Sequence, residues 1–362
     1  MYLFTAIILF IFSIACFQDN IGLRTQKKHK RVNMLVALSC LWLVLHDGLR
    51  WQVGSDWQPY YEYFYSPEEY LGFEPAYRYA NIFIRSLTDN YTWFLLFVAV
   101  CFHVPIIKRI KQYSINPFVS ITIFYCIMVG MMGMNRQDFS LSLSVFSLPF
   151  IINRNWKAFF IIIAVAFCFH RTAVFFIPAY FLYNKKIPIR LIAILMLIAV
   201  CIYYSGIINR IPLVQYAALL GGDFEYKIEA AMMDDGRSFS AITGVLKRLI
   251  LVFAFYKFLH NKFDKNPSIL LFFNLYIVGV FMYLFTNGTY LQTIASRGAL
   301  YYNIYECILV PFLLYSLPMS LKSKRLVWFV VFIYYCYMMY RGMDSYLPIA
   351  GEIFRPYKSV LF

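Results

Sequence analysis

Charge is scarce in this chain of 362 residues. Only 14% of the residues are charged, against 61% hydrophobic, and the mean hydropathy is +0.62. Soluble domains carry about 25% charged and about 45–50% apolar residues. No polar stretch is long enough to form a soluble domain, so a soluble enzyme, a disulfide-stapled secreted domain and a disordered protein are all excluded. Acids are the rarest charges, with 18 Asp and Glu against 33 Lys and Arg. The chain also lacks a phosphate-binding glycine loop, a dinucleotide glycine pattern, a His-Glu-x-x-His zinc helix and a Gly-x-Ser-x-Gly elbow. It has no Cys-x-x-Cys pair, no internal repeat and no low-complexity segment. Neither a metal site nor a cofactor is read from it. The eight cysteines all fall inside apolar runs and read as small packing residues.

What is present is a polytopic, all-α integral membrane protein. A spanning helix needs about 17–25 apolar residues. Twelve candidate runs fall at 2–17, 32–48, 92–107, 117–133, 138–152, 157–169, 172–183, 191–206, 241–259, 268–286, 299–317 and 326–340, giving one transmembrane domain over 1–362. The net charge of +15 is not a nucleic-acid signal, because the basic residues gather in short loops. Loops 18–31, 108–116, 153–157, 184–190, 260–267 and 318–325 hold 18 Lys/Arg and 2 Asp/Glu, whereas the opposite side holds 12 and 15. The Lys/Arg bias puts the first set in the cytoplasm and both termini outside. The segment 157–183 is interrupted only by His170 and Arg171, yet basic loops flank both its ends. It therefore reads as two crossings or a re-entrant hairpin. Two outer segments are long: 49–91, rich in acids and aromatics, and 207–240, with Asp223, Glu225, Glu229, Asp234 and Asp235. The inner loops are short, so any chemistry faces outward.

Four groups of residues stand out. Arg50, Gly54, Asp56, Tyr60 and Tyr61 lie just beyond the second run, followed by Glu74-Pro75. They read either as an interfacial aromatic belt with a snorkelling Arg or as a sugar-binding mouth. Arg136-Gln137 sits between two apolar runs with almost no loop. There the alternatives are snorkelling to headgroups and a fixed cation suited to phosphate. His170-Arg171 forms the third group. The fourth is Lys247-Arg248, six residues into an apolar run, together with Arg297 at the start of another. An intramembrane cation needs a partner or water. Arg136, Arg248 and Arg297 near one membrane level suggest a diphosphate lipid.

The ordered pattern Arg50-x3-Gly54-x-Asp56-x3-Tyr60, Glu74-Pro75, Arg136-Gln137, His170-x-Thr172-Ala173 and Arg297, down to Pro356-Tyr357-Lys358, resembles the EpsG/Wzy-like polymerases of bacterial surface polysaccharides. The resemblance implies a helical architecture like that of C-type, lipid-dependent glycosyltransferases. It also implies transfer of a growing glycan from one undecaprenyl diphosphate to a sugar hydroxyl of another lipid-linked repeat unit, at the outer face of the bacterial inner membrane and without nucleotide sugar. The partners implied are those lipid-linked glycans and the bilayer, with room for a chain-length regulator and none for nucleic acid. Carried over by position, Arg50, Tyr60, Arg136, Gln137 and Arg297 bind substrate, while His170 and Asp56 are the catalytic pair. His170 is read as the base and Asp56 as the residue orienting the acceptor or the imidazole. Arg248 joins the binding set for its depth in the membrane. Alternatives from neighbouring classes are a lipid-linked oligosaccharide flippase, for which pseudo-repeated halves would be expected, and an O-antigen ligase using the same donor.

Overall fold

The computed structural model describes residues 1–17, 26–67, 72–210, 239–286, 289, 291, 297–345, 347 and 351–361. Among the described residues every regular element is helical, and the one β-type contact is an isolated antiparallel bridge between Arg50 and Ser359. Most of the outer segment 207–240, with its five acids, lies outside the described residues.

The chain groups into two compact units, residues 1–174 with 306–362, and residues 175–305. The sequence reads as one domain because the change of unit falls inside an apolar stretch with no polar linker to mark it.

The first unit contains α1 (Tyr2–Ala15), α2 (Gln26–Gly48), α3 (Trp57–Tyr65), α4 (Pro75–Arg85), α5 (Tyr91–Tyr113), α6 (Pro117–Met128), α7 (Asn135–Phe146), α8 (Leu148–Ile152) and α9 (Trp156–Phe169). Asparagine caps start three of these helices. Asn90 accepts from the Thr92 N–H, Asn116 from Phe118 and Val119, and Asn155 from Ala158. Each satisfies backbone donors that no helical carbonyl can reach. α2 packs on α5, α5 on α7, α7 on α9, and α1 on α6. The ends assigned to one side by charge meet. Asn116 donates to the Tyr315 hydroxyl at 3.1 Å, and Arg325 donates to the Phe17 carbonyl at 2.8 Å. At the other end the irregular stretch 351–360 folds back on 49–54, with Trp51 N–H donating to the Lys358 carbonyl and Val360 N–H to the Leu49 carbonyl, both at 3.0 Å.

The second unit contains α10 (Ile189–Ser205), α11 (Phe239–Phe263), α12 (Pro267–Thr286) and α13 (Leu300–Asn303). α12 lies between α10 and α11 and is buried along most of its length. Lys186 pairs with Asp264 at 2.5 Å, joining two loops that the charge count places on one side. The chain returns to the first unit with α14 (Glu306–Ser316) and α15 (Leu321–Asp344).

Among the described residues three helices are long and apolar enough to cross a membrane: α5, α12 and α15. Several of the twelve runs are broken or short by this measure. The run 138–152 is divided at Ser147 before Pro149, and 299–317 at Tyr305. The segment 157–183 is divided at His170, whose φ −157° and ψ 124° are extended, and the chain continues as a 3-10 helix, Arg171–Leu182. Large apolar side chains point outward on α10 (Leu197, Ile194) and α15 (Val330, Ile333). Contiguous exposed apolar faces of this kind suit lipid, not water.

Candidate functional site

Two glycines hold segment 49–91 against the rest of the first unit. Gly54 and Gly133 both have positive φ, +115° and +101°. A Cβ on Gly54 would come within 2.6 Å of the Met132 carbonyl oxygen, and one on Gly133 within 3.0 Å of the Gly54 Cα. Only residues without a side chain allow this backbone approach, which Ser55 N–H seals by donating to Met132 O at 3.2 Å. The contact sets the start of α3 beside the start of α7. α3 and α4 bury Trp57, Tyr60, Tyr63, Phe64 and Tyr77 against α5. The aromatics of this segment thus build a core.

On this core stands a compact ionic group. Arg136, in the first turn of α7, donates through Nε to the Tyr60 hydroxyl at 3.1 Å and through Nη1 to Glu74 Oε2 at 2.7 Å. Its guanidinium lies 4.3 Å from the centre of the Phe73 ring, and Tyr60 faces it at 5.7 Å. Glu74 precedes Pro75 at the start of α4, and its carboxylate is not spent on capping its own helix. Instead Oε1 accepts from the Arg171 backbone N–H at 3.3 Å. Burial raises the Glu74 carboxyl, but Arg136, the residue's own N–H and nearby His170 outweigh burial and hold it below the usual carboxylate range. His170 is buried, and its Nδ1 lies 2.6 Å from Thr172 Oγ1. The Thr172 backbone N–H donates to the same Nδ1 at 3.3 Å, so Nδ1 is an acceptor and the neutral imidazole carries its hydrogen on Nε2. The break at His170 therefore serves the site. It turns the Arg171 amide toward Glu74 and places an imidazole beside a carboxylate–guanidinium pair.

Asp56 occupies the position before α3, one helical turn from Tyr60, and is half-buried. Gln137 is buried beside Arg136 in the sequence. Arg50 belongs to a second group. It is 1% exposed, pairs with Asp47, donates to the Asp47 carbonyl at 2.6 Å and reaches Asn135 Oδ1 at 2.7 Å. Asp47 faces His103 on its other side, with Nε2 at 3.3 Å. Asn135 in turn donates to the Tyr91 hydroxyl at 3.3 Å. This buried network ties the end of α2 to the start of α7, immediately before Arg136.

Arg248 and Arg297 lie in the second unit. Arg248 sits face-on to the Tyr283 ring at 3.5 Å and donates to the Gly244 carbonyl at 3.1 Å. Arg297 is half-buried just before α13. Of the expected residues, Tyr60, Arg136 and His170 share one neighbourhood with Glu74. The residues that the sequence reading left without a role are Glu74, Asp47 and Asn135. Asp47 had a signal in its three-residue spacing from Arg50 at a helix end, where i,i+3 partners meet. Glu74 had one as an acid fixed before a proline in a segment facing intramembrane cations. Among the described residues no three His, Cys, Asp or Glu gather as a metal would require.

These features define a helical membrane protein with a guanidinium–carboxylate pair, Arg136–Glu74. The EpsG family model matches residues 33–359, and the chain belongs to that family. Membership makes it, in the broad sense, a polysaccharide polymerase. Neither a curated protein nor a solved structure matches the chain.

Proposed function

We propose that this protein polymerises undecaprenyl-diphosphate-linked oligosaccharide repeat units at the outer face of the bacterial inner membrane, for O-antigen, capsule or exopolysaccharide. It transfers the growing glycan to a sugar hydroxyl of another lipid-linked unit, on about twelve helical crossings arranged as in C-type glycosyltransferases. The observation that carries this reading is Arg136, held beside His170 on the segment that the charge count puts outside. A guanidinium fork matches phosphate oxygens in a bidentate way and stabilises the charge that develops on the departing diphosphate.

Tyr60 keeps Arg136 in place and Gln137 adds an amide next to it in the first turn of α7. Arg248 and Arg297, within the second unit, are proposed as phosphate-binding cations. The His170 imidazole takes the proton of the acceptor hydroxyl as its oxygen attacks the anomeric carbon, and Asp56 orients the acceptor. Arg50 supports the site from beneath, because its guanidinium is committed to Asp47 and Asn135.

Purified protein given undecaprenyl-diphosphate-linked repeat units should make a ladder of products without nucleotide sugar. His170→Gln at matched protein level should abolish the ladder, and Asp56→Asn should weaken it. Absence of any ladder from the wild type overturns the reading. A dead Asp56→Asn beside an active His170→Gln reverses the two roles.

A further inference from the structure

Arg136 already has an anion. Glu74 meets it at 2.7 Å, the guanidinium faces Phe73, and its Nε is engaged by Tyr60. The side chain is 19% exposed and the Glu74 side chain 8%. Carboxylate and phosphate offer the same pair of acceptor oxygens to an Arg fork. A diphosphate arriving here meets a negative charge of the protein in its own place, and two anions cannot share one guanidinium without repulsion. Yet Glu74 is not bound to Arg136 alone. Its other oxygen is held by the amide that follows His170, and its helix makes no use of the carboxylate.

We propose that Glu74 is a placeholder for the donor diphosphate, and that the diphosphate, by taking Arg136, releases Glu74 to serve as the counter-charge of His170. The proposal rests on the reading of Arg136 as the diphosphate ligand. In the empty state Glu74 neutralises Arg136 and keeps it positioned. In the loaded state Oε1 still rests on the Arg171 amide, so the freed carboxylate remains next to the imidazole. The acceptor O–H bond then breaks, its proton passes to the His170 imidazole, and the oxygen bonds to the anomeric carbon. The sugar–phosphate C–O bond breaks with its electron pair going to the diphosphate on Arg136. The imidazolium so formed faces the Glu74 carboxylate. Donor binding thereby creates the environment that favours proton transfer, and the base is weaker while no donor is present. Glu74 is a positioning residue that acts through Arg136 and His170.

The test uses the full-length protein in detergent, with inorganic diphosphate as the binding probe and ladder formation from lipid-linked repeat units as the activity. Glu74→Gln should bind inorganic diphosphate about tenfold more tightly than wild type, equivalent to about 1.4 kcal/mol, and should polymerise at least tenfold more slowly. Glu74→Asp, which keeps the charge but shortens the reach, should fall between the two on both measures and decides the matter if Glu74→Gln does not fold. Arg136→Ala should lose diphosphate binding in either background. Equal or weaker binding by both Glu74 variants, at wild-type thermal midpoints, overturns the placeholder and leaves the polymerase reading standing. Tighter binding with undiminished ladders overturns the link to His170. Failure of the wild type to bind diphosphate removes the role of Arg136 and the placeholder with it.

Discussion

Arg50 and Arg136 are both cations paired with a carboxylate within the same helical unit, yet they are built for different tasks. Arg50 is 1% exposed and is surrounded by fixed partners: Asp47, Asn135 and the backbone carbonyl of residue 47. Its partner Asp47 is itself shared with His103. Arg136 is 19% exposed, and its partner Glu74 stands just before the short helix α4. A network closed on itself has nothing to offer a ligand, whereas a pair with an open side can exchange its anion. Burial and the number of partners thus separate a cation that holds the fold from one that can meet a substrate.

The largest effect should come from the closed network. Asp47→Ala strips Arg50 of its counter-charge in a buried place, a loss of about 3–5 kcal/mol for broken buried pairs. Its thermal midpoint and membrane abundance should fall far below those of wild type. Asp47→Leu combined with Arg50→Met should be less damaging than Asp47→Ala alone, because no uncompensated charge remains. Wild-type stability in Asp47→Ala would end the distinction drawn here.

Next comes the open pair. Arg136→Ala should lower ladder formation about 100- to 1,000-fold, the range seen when one preorganised donor is removed from a reacting site, while the protein remains folded. Arg136→Lys should recover little, since an ammonium replaces two parallel hydrogen bonds with a point charge. Near-normal ladders from both variants would remove Arg136 from the mechanism.

The smallest effect concerns pH. The Glu74 carboxyl is held below its usual value in the folded protein. Its pairing with Arg136 therefore contributes stability above the unfolded value of about 4.3, and that contribution is lost as the pH falls through the folded value. Between pH 5 and acid, the thermal midpoint of wild type should decline more steeply than that of Glu74→Gln. Parallel declines would mean that Glu74 carries no net electrostatic weight.

Much of this was legible in the sequence because lipid imposes simple rules. Apolar runs announce helices without reference to tertiary contacts. The interruption at His170 is also visible as a polar pair inside an apolar stretch, although only the backbone shows that a 3-10 helix follows. Pairing is what the sequence does not display. Arg50 and Arg136 look alike on the page, and each could have met Asp47, Asp56 or Glu74. The choice depends on the approach of Gly54 to Gly133, which sets the start of α3 beside α7. The division of the runs at Ser147 and Tyr305 is likewise a packing outcome, not a matter of composition.

The fold-back of residues 351–360 onto 49–54 also has a consequence in time. The Tyr357 hydroxyl donates to the His46 carbonyl across a separation of 311 residues, and Ser359 bridges Arg50. A chain inserted into the membrane helix by helix delivers α2 through α7 long before this stretch emerges from the ribosome. Until then the backbone of 49–54 lacks its partners, and the platform beneath Arg136 is unfinished. The order of synthesis thus leaves this frame unfinished until residues 351–360 are in place, so that a protein stalled before them carries Arg50 and Arg136 but not the backbone contacts that brace 49–54.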